Sequence, residues 1–358
     1  MFTPSSVGLG RPHRVLELRV KVNFRDSGRK RVFSGIQPTG VPHLGNYIGA
    51  IRRWVAMQQD FDCLFCVVDL HAMTEPWDPE ELERGGLEVA AVLIACGIDP
   101  HQAILFRQSQ VTAHTELAWI LTCVARMGEL RRMVQFKEKS RGETESVGVG
   151  LFSYPILQAA DVLLYRVHGV PVGDDQRQHV ELMRDLAGRF NSSFGRTFVL
   201  PEAWVPDEGA RVMALDDPTL KMSKSARRPN SVINLTDEPE LIARKVRSAV
   251  TDSGRTVSAG PDKPALTNLL TVFSVLSGRT VRDLEDEFGA GGYAPFKLAL
   301  AEVVTEHLAP IAKRYADLMD DRAELDRLLA GGAARAAELA EVTMADVRAA
   351  AGLAAPVR

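Results

Sequence analysis

RVFSGIQPTGVPHLGN, residues 31–46, is the stretch on which the fold turns. Val32–Gly35 is short and mostly apolar, as a strand is. Pro38, Thr39 and Gly40 then impose a turn. From His43 to Gln59 the apolar residues recur at helical spacing, with Leu44, Ile48, Ile51, Val55 and Met57 roughly on one face. A strand, a Pro-Gly loop and a helix in this order open an α/β unit. Glycine at 35, 40 and 45 lets backbone approach a ligand closely. His43-Leu-Gly-Asn46 falls in the first turn of the helix, where free N–H groups and the positive dipole end favour phosphate. A capped helix behind a Pro-Gly loop accounts for the same residues, and at this point both readings stand.

The alternation continues outward. Phe61–Leu70 is a nearly unbroken apolar run, typical of a parallel strand covered on both faces. Pro79–Cys96 reads as a helix, Ala103–Arg107 as a strand, Ala113–Met127 and Leu151–Arg166 as helices, and Val170–Val172 as a short central strand. Residues 137–150, KEKSRGETESVGVG, read as a mobile loop. After about residue 230 the strand signal stops, and Glu238–Val250, Ala265–Ser277, Ala294–Leu318 and Ala333–Ala351 read as helices. The expected fold class is α/β: a Rossmann-like parallel-sheet domain over 31–229, followed by an all-helical domain over 230–358. Residues 1–30 hold Pro4, Gly8, Gly10 and Pro12 and no apolar core, so they read as a disordered extension rather than a secretory signal.

Composition narrows the class. The 358 residues are 46% hydrophobic and 25% charged, with 43 basic and 46 acidic residues for a net charge of −3. That balance excludes disorder over most of the chain. The longest apolar run, Val89 to Ile98, is far short of a membrane span, so no membrane partner is expected. Contact with a polyanion must come from local basic clusters. Cys63 and Cys66 form a C-x-x-C, but they lie in a strand-like run where residues three apart point to opposite faces, and no second C-x-x-C completes a zinc site. With Cys96 and Cys123 they read as reduced thiols in a cytoplasmic protein.

A second polar constellation is Lys221-Met222-Ser223-Lys224-Ser225, just after Asp216-Asp-Pro218. Alone it reads as a solvated basic turn. Paired with HLGN at the other end of one α/β domain it becomes specific, and here the chain resembles the class I aminoacyl-tRNA synthetases. GIQPTGVPHLGNYIGA is similar to the tryptophanyl-tRNA synthetase form of the HIGH signature. VDLHAMT (68–74), MGELRRMVQFKEKS (127–140), YPILQAADVLLY (154–165), VGDDQRQHVELMRDLAGRFN (172–191), KMSKS and SAVTDS (248–253) follow in the family's order, and the resemblance spans about residues 31–352. IQPTG and GDDQRQH separate the chain from the tyrosine enzymes. Gln158 points the other way.

The resemblance implies activation of L-tryptophan by ATP to tryptophanyl-adenylate and pyrophosphate, then transfer to tRNA(Trp). It implies that Gln37, Pro38, Thr39, His43, Gly45 and Asn46 line the ATP site, with Gly173, Asp174 and Asp175 at the ribose and Val212 at the adenine. Asp174 stands where the family often has Glu. Lys221, Lys224 and Lys139, with Asn46, are the implied catalytic set, steadying the phosphates as pyrophosphate leaves. Met222, Ser223 and Ser225 complete the loop, although Ala226 follows where an Asp is common. Only ten of the 43 basic residues are Lys, yet four fall in KEK and KMSKS. Mg²⁺ is expected to travel with ATP. For tryptophan the resemblance implies Asp161 as acceptor of the indole N–H, Phe33 and His71 against the ring, and Tyr154 and Gln176 at the α-ammonium. It further implies a homodimer and an anticodon-reading role for the helical region. Arg52-Arg53, Arg131-Arg132, Arg227-Arg228 and Arg244-Lys245-x-Arg247 are candidate tRNA contacts. A non-catalytic paralogue or another adenylyl-transferring enzyme would lack part of this set.

Overall fold

The computed structural model describes residues 28–134, 148–205, 211–223 and 228–355. The 1–27 extension, most of the 137–150 loop, Lys139, Lys224, Ser225 and Ala226 lie outside the described residues. Five parallel strands, β1 (Arg31–Ile36), β2 (Asp62–Val67), β3 (Ile104–Arg107), β4 (Gly169–Pro171) and β5 (Glu202–Trp204), form one sheet in the order β3-β2-β1-β4-β5. Phe33 pairs with Leu64 and Gly35 with Cys66, while Val32 pairs with Gly169 on the other side. Order reverses at β1, so the crevice beyond the strands' C-terminal ends opens beside it, the usual ligand position in such sheets.

The helices are α1 (Leu44–Asn46), α2 (Arg52–Met57), α3 (Asp69–Ala72), α4 (Pro79–Ala95), α5 (Ala113–Val124), α6 (Met127–Arg131), α7 (Val149–Leu163), α8 (Arg177–Phe194), α9 (Pro239–Ser248), α10 (Pro264–Ser277), α11 (Val281–Phe288), α12 (Tyr293–Asp320) and α13 (Arg322–Ala351). The helix expected over 43–59 is not uniform: a π-helix, Tyr47–Ile51, joins α1 to α2. Asp78 caps α4, accepting from the N–H groups of Glu80 and Glu81, and Pro79 stands at the first helical position, where its missing N–H costs nothing.

The sheet separates two apolar cores. Cys63, Phe65 and Val67 enter one, and Leu64, Cys66 and Val68 the other. The C-x-x-C therefore points to opposite faces, and burial raises both thiols' pKa, that of Cys63 to about 12. The first core also takes α4 and the helices from α9 to α12, while the second takes α5, α7 and α8. Helix α13 runs past the β3 edge from one core to the other: Leu325 and Leu329 lie in the first, Ala336, Ala340 and Met344 in the second. Arg335 fastens that crossing by donating to the carbonyls of Pro100 and Ala103 at 2.5 and 2.8 Å. No helix among the described residues is long and apolar enough to cross a membrane.

Candidate active site

Residues just beyond the strand ends meet in one cavity of about 780 Å³. Gln37 follows β1, Val68 and His71 follow β2, Gly173 to Gln176 follow β4, and Val205 follows β5. Gly45, Asn46, Gly49 and Arg53 bring in the first helical run, and Tyr154, Gln158 and Asp161 bring in α7. Phe33, Val212 and Lys221, also expected, lie on these walls, whereas Ser223 lines neither this cavity nor the next. A second cavity of about 440 Å³ shares Gln37 and His71 with the first and takes in Pro38 and Thr39. His43 and Met222 are buried rather than on either wall.

The helix start is built by reciprocal hydrogen bonds. The His43 N–H donates to Asn46 Oδ1 at 3.0 Å, and the Asn46 N–H donates to His43 Nδ1 at 3.2 Å. The same turn is tied to the segment after KMSKS: Leu44 N–H donates to Ile233 O at 2.8 Å, and Leu235 N–H to Pro42 O at 3.1 Å. Residues 212–214 pair antiparallel with 220–222 through Met222 N–H to Val212 O and Ala214 N–H to Leu220 O. Two motifs almost 180 residues apart thus face each other. At Gly45 a Cβ would stand 3.0 Å from His43 Nδ1 and 3.4 Å from Met222 Cβ, so glycine sets this close approach.

On the other wall Asp161 is 1% exposed. His114 Nδ1 and Gln108 Nε2 meet its Oδ1 at 2.6 and 2.7 Å, and His71 Nε2 meets its Oδ2 at 2.8 Å. Burial alone raises a carboxyl's pKa, but the hydrogen bonds from His114 and His71 outweigh it and hold Asp161 well below the usual carboxylate range. The site therefore keeps an ionised acceptor in an apolar wall, beside Phe33 and Val162. Gln108 and His114 were not legible as site residues, being 53 and 47 positions from Asp161.

Tyr154 O–H and His179 Nε2 are 2.8 Å apart. Burial pushes His179 down to about 4 and Tyr154 up to about 12, so near neutral pH the phenol keeps its proton and the imidazole is uncharged. Gln176 donates to Asp175 at 2.9 Å and accepts from Gln158 at 3.4 Å, which turns its carbonyl oxygen toward α7. A Cβ on Gly173 would meet the Asp175 carboxylate at 2.6 Å. Asp174 holds Arg177 at 2.5 Å.

Two of the basic clusters need correcting. Lys245 is 3% exposed and closed in an ion pair with Asp237 at 2.5 Å, so it faces no polyanion. Arg53 points into the cavity rather than outward with its neighbour Arg52. Among the described residues no group of three or more His, Cys, Asp or Glu side chains is placed to hold a metal ion.

The family model for tRNA synthetases class I (W and Y) matches residues 25–309. The chain is 52% identical over 325 residues to the tryptophan–tRNA ligase of Caldanaerobacter subterraneus, covering 90% of this chain and 98% of that one. It is 50% identical over 315 residues to the Helicobacter pylori tryptophan–tRNA ligase, covering 88% and 96%. Among solved structures, Mycoplasma pneumoniae tryptophanyl-tRNA synthetase superposes with a TM-score of 0.81 at 34% identity, over 91% of this chain and 98% of that one. Campylobacter jejuni tryptophanyl-tRNA synthetase, complexed with ADP and tryptophan, gives 0.79 at 34% identity, over 90% and 100%.

Proposed function

The chain belongs to the class I tRNA synthetases for tryptophan and tyrosine, and from that premise we propose that it is a tryptophan–tRNA ligase whose cavity activates L-tryptophan with ATP and passes it to tRNA(Trp). The observation that carries this reading is that one cavity has the HLGN helix start and Lys221 on one side and the buried Asp161 on the other. The tryptophan carboxylate attacks the α-phosphate of ATP, the bond to the β-phosphate breaks, and pyrophosphate leaves. The terminal ribose of the tRNA then takes the tryptophanyl group and releases AMP. The protein contributes position and charge rather than covalent chemistry.

The roles divide by chemistry. Gln37, Gly45, Asn46 and Val212 receive the nucleotide, Gly173 and Asp175 with Asp174 take the ribose, and Pro38 and Thr39, which line the second cavity beside Gln37, belong to the nucleotide side. Lys221 meets the leaving phosphates, with Lys224 and Lys139 assigned the same work by the resemblance alone. Mg²⁺ arrives on the phosphates of ATP. Indole is a donor-only group, so an ionised acceptor in an apolar wall reads it. Asp161 is that acceptor, while Phe33 and His71 flank the ring. The Tyr154 oxygen presents lone pairs to the α-ammonium, and the Gln176 carbonyl does the same. The helices after residue 230 take the anticodon side of the tRNA. The exposed apolar side chains of Trp119, Met127 and Val149, on α5, α6 and α7, favour a homodimer. The working compartment is the cytoplasm.

The test is ATP–pyrophosphate exchange with tryptophan, tyrosine and phenylalanine in turn. Exchange with tryptophan alone is expected. Exchange with tyrosine would make Gln158, which lines the same cavity, the better guide to the substrate.

A further inference from the structure

Asp161 reaches the cavity, but two of the side chains that hold it do not. Gln108, directly after β3, and His114, in the first turn of α5, are both 0% exposed and absent from the cavity walls. Both aim at Oδ1. Behind His114, Tyr165 O–H lies 2.7 Å from Nε2. Burial raises the Tyr165 pKa well above its ordinary value, so the phenol keeps its proton; with the ionised Asp161 able only to accept from Nδ1, the neutral imidazole accepts that proton at Nε2. The Nδ1–H of His114 is thereby directed at Asp161. Tyr165 in turn stacks on Phe33, a cavity wall residue, with ring centroids 5.8 Å apart and an 11° angle.

Gln108 carries a further sign. Its Oε1 is buried without a hydrogen-bond partner among the described residues. Turning the amide over would set oxygen against carboxylate, so the orphaned oxygen is the cost of aiming a donor at Asp161. The described ion pairs of Asp161 involve only His71 and His114, with no Lys or Arg. A buried carboxylate held this way is a poor stabiliser compared with an apolar side chain of the same volume. It makes sense as a group kept for a ligand.

A carboxylate has about four lone-pair sites, two per oxygen. Among the described residues Oδ1 has both filled, by Gln108 and His114, and Oδ2 has one filled, by His71. We infer that Gln108 and His114, with Tyr165 behind them, are positioning residues for substrate selection: they saturate Oδ1 so that the one remaining acceptor site, on Asp161 Oδ2, is what the amino-acid substrate's ring N–H meets. This deepens the proposed function and rests on its assignment of Asp161 to the indole. The titratable groups around Asp161 are His71, His114, Cys66 and Tyr165, of which burial keeps the last two protonated.

The experiment is pyrophosphate exchange with tryptophan and with its benzothiophene analogue, in which sulfur replaces the ring N–H, in wild type, His114→Leu, His114→Asn and Asp161→Asn. His114→Leu is expected to lower the kcat/KM ratio of tryptophan to analogue by about tenfold or more while the KM for ATP stays put. Its acid limb for tryptophan should move to higher pH, because a carboxylate that loses a donor protonates more readily and stops accepting. His114→Asn, which offers an N–H where Nδ1–H stood, should restore most of the ratio. A ratio and acid limb unchanged in His114→Leu, or equal losses on both substrates, would overturn the inference. Should that variant not fold by circular dichroism, Tyr165→Phe and Gln108→Leu read the same ratio and decide it. Wild type without tryptophan-dependent exchange would instead sink the proposed function. Wild type active with Asp161→Asn equally selective would sink the indole assignment.

Discussion

Two adjacent glycines in α13 should respond to alanine with opposite signs. Gly331 is exposed and its added Cβ would meet nothing within 4 Å, whereas Gly332 is buried and its Cβ would stand 1.8 Å from the carbonyl oxygen of Leu105 and 2.8 Å from its carbon. Inside a helix, Gly→Ala ordinarily stabilises by about 1 kcal/mol, and Gly331→Ala should gain most of it. For Gly332→Ala that gain is overwhelmed. A normal carbon–oxygen contact needs well over an ångström more space, and the obstacle is strand backbone, which cannot rotate away. Overpacking of this kind costs roughly 1–3 kcal/mol, occasionally more. Pushing α13 off β3 also stretches the bonds from Arg335 to Pro100 O and Ala103 O, and hydrogen bonds from a charged donor contribute about 1.5–3 kcal/mol. A net loss of about 3 kcal/mol follows for Gly332→Ala. Urea unfolding followed by far-ultraviolet circular dichroism separates the pair, with the midpoint rising for Gly331→Ala and falling for Gly332→Ala. A Gly332→Ala protein as stable as Gly331→Ala would refute the close approach of α13 to β3.

Three other outcomes follow from the site. Gly45→Ala should raise the KM for ATP about tenfold and leave that for tryptophan nearly unchanged, since its methyl pushes His43 from Met222 and a lost cap is worth about 1 kcal/mol; steady-state exchange kinetics check it. His179 is held at about 4 against an ordinary 6.5 by burial, so the unfolded chain binds this proton first as pH falls. Stability present above pH 6.5 is then lost toward pH 4, about 2 kcal/mol of it by pH 5, and urea midpoints at both pH values should show a shallower fall in His179→Gln. Lys221→Ala should lower kcat for exchange roughly a hundredfold with KM for ATP within a few-fold. A defect confined to KM would place Lys221 in ground-state binding instead.

The sheet was readable because its strands carry their own signals. Phe61–Leu70 is apolar on both faces, and β2 is indeed buried on both, which also explains why Cys63 and Cys66 diverge. β5 is only Glu202–Trp204, too short for any periodicity, and is recruited by the register of Val170 against Ala203 and by Gly169, whose missing side chain leaves room for Trp204. Helix α11 lies outside the helices expected after residue 230, although Thr280 and Asp283 form a capping box at its start. The π-helix at Tyr47–Ile51 leaves no mark in hydrophobic spacing. Lys245 shows the limit for charges: a basic run says nothing about which of its members an acid such as Asp237 will draw inside.

The same limit applies to the site, and it has a physical remedy. Motif residues such as Gln37, Lys221 and Asp161 were legible through the resemblance to the class I synthetases, and all three line the cavity. Gln108 and His114 belong to no such pattern, and their partner is about fifty residues away. What assembles them is the parallel sheet, whose strands all end on one side, so that residues following different strands gather at that end, on the cavity wall or just behind it. Gln37 after β1, Gln108 after β3 and Gly173 after β4 obey this rule regardless of sequence distance. A buried polar side chain directly after an apolar strand would have to find its hydrogen-bond partner at that end of the sheet. Gln108 is such a residue, and Asp161, on α7 at the cavity wall, is the partner it finds.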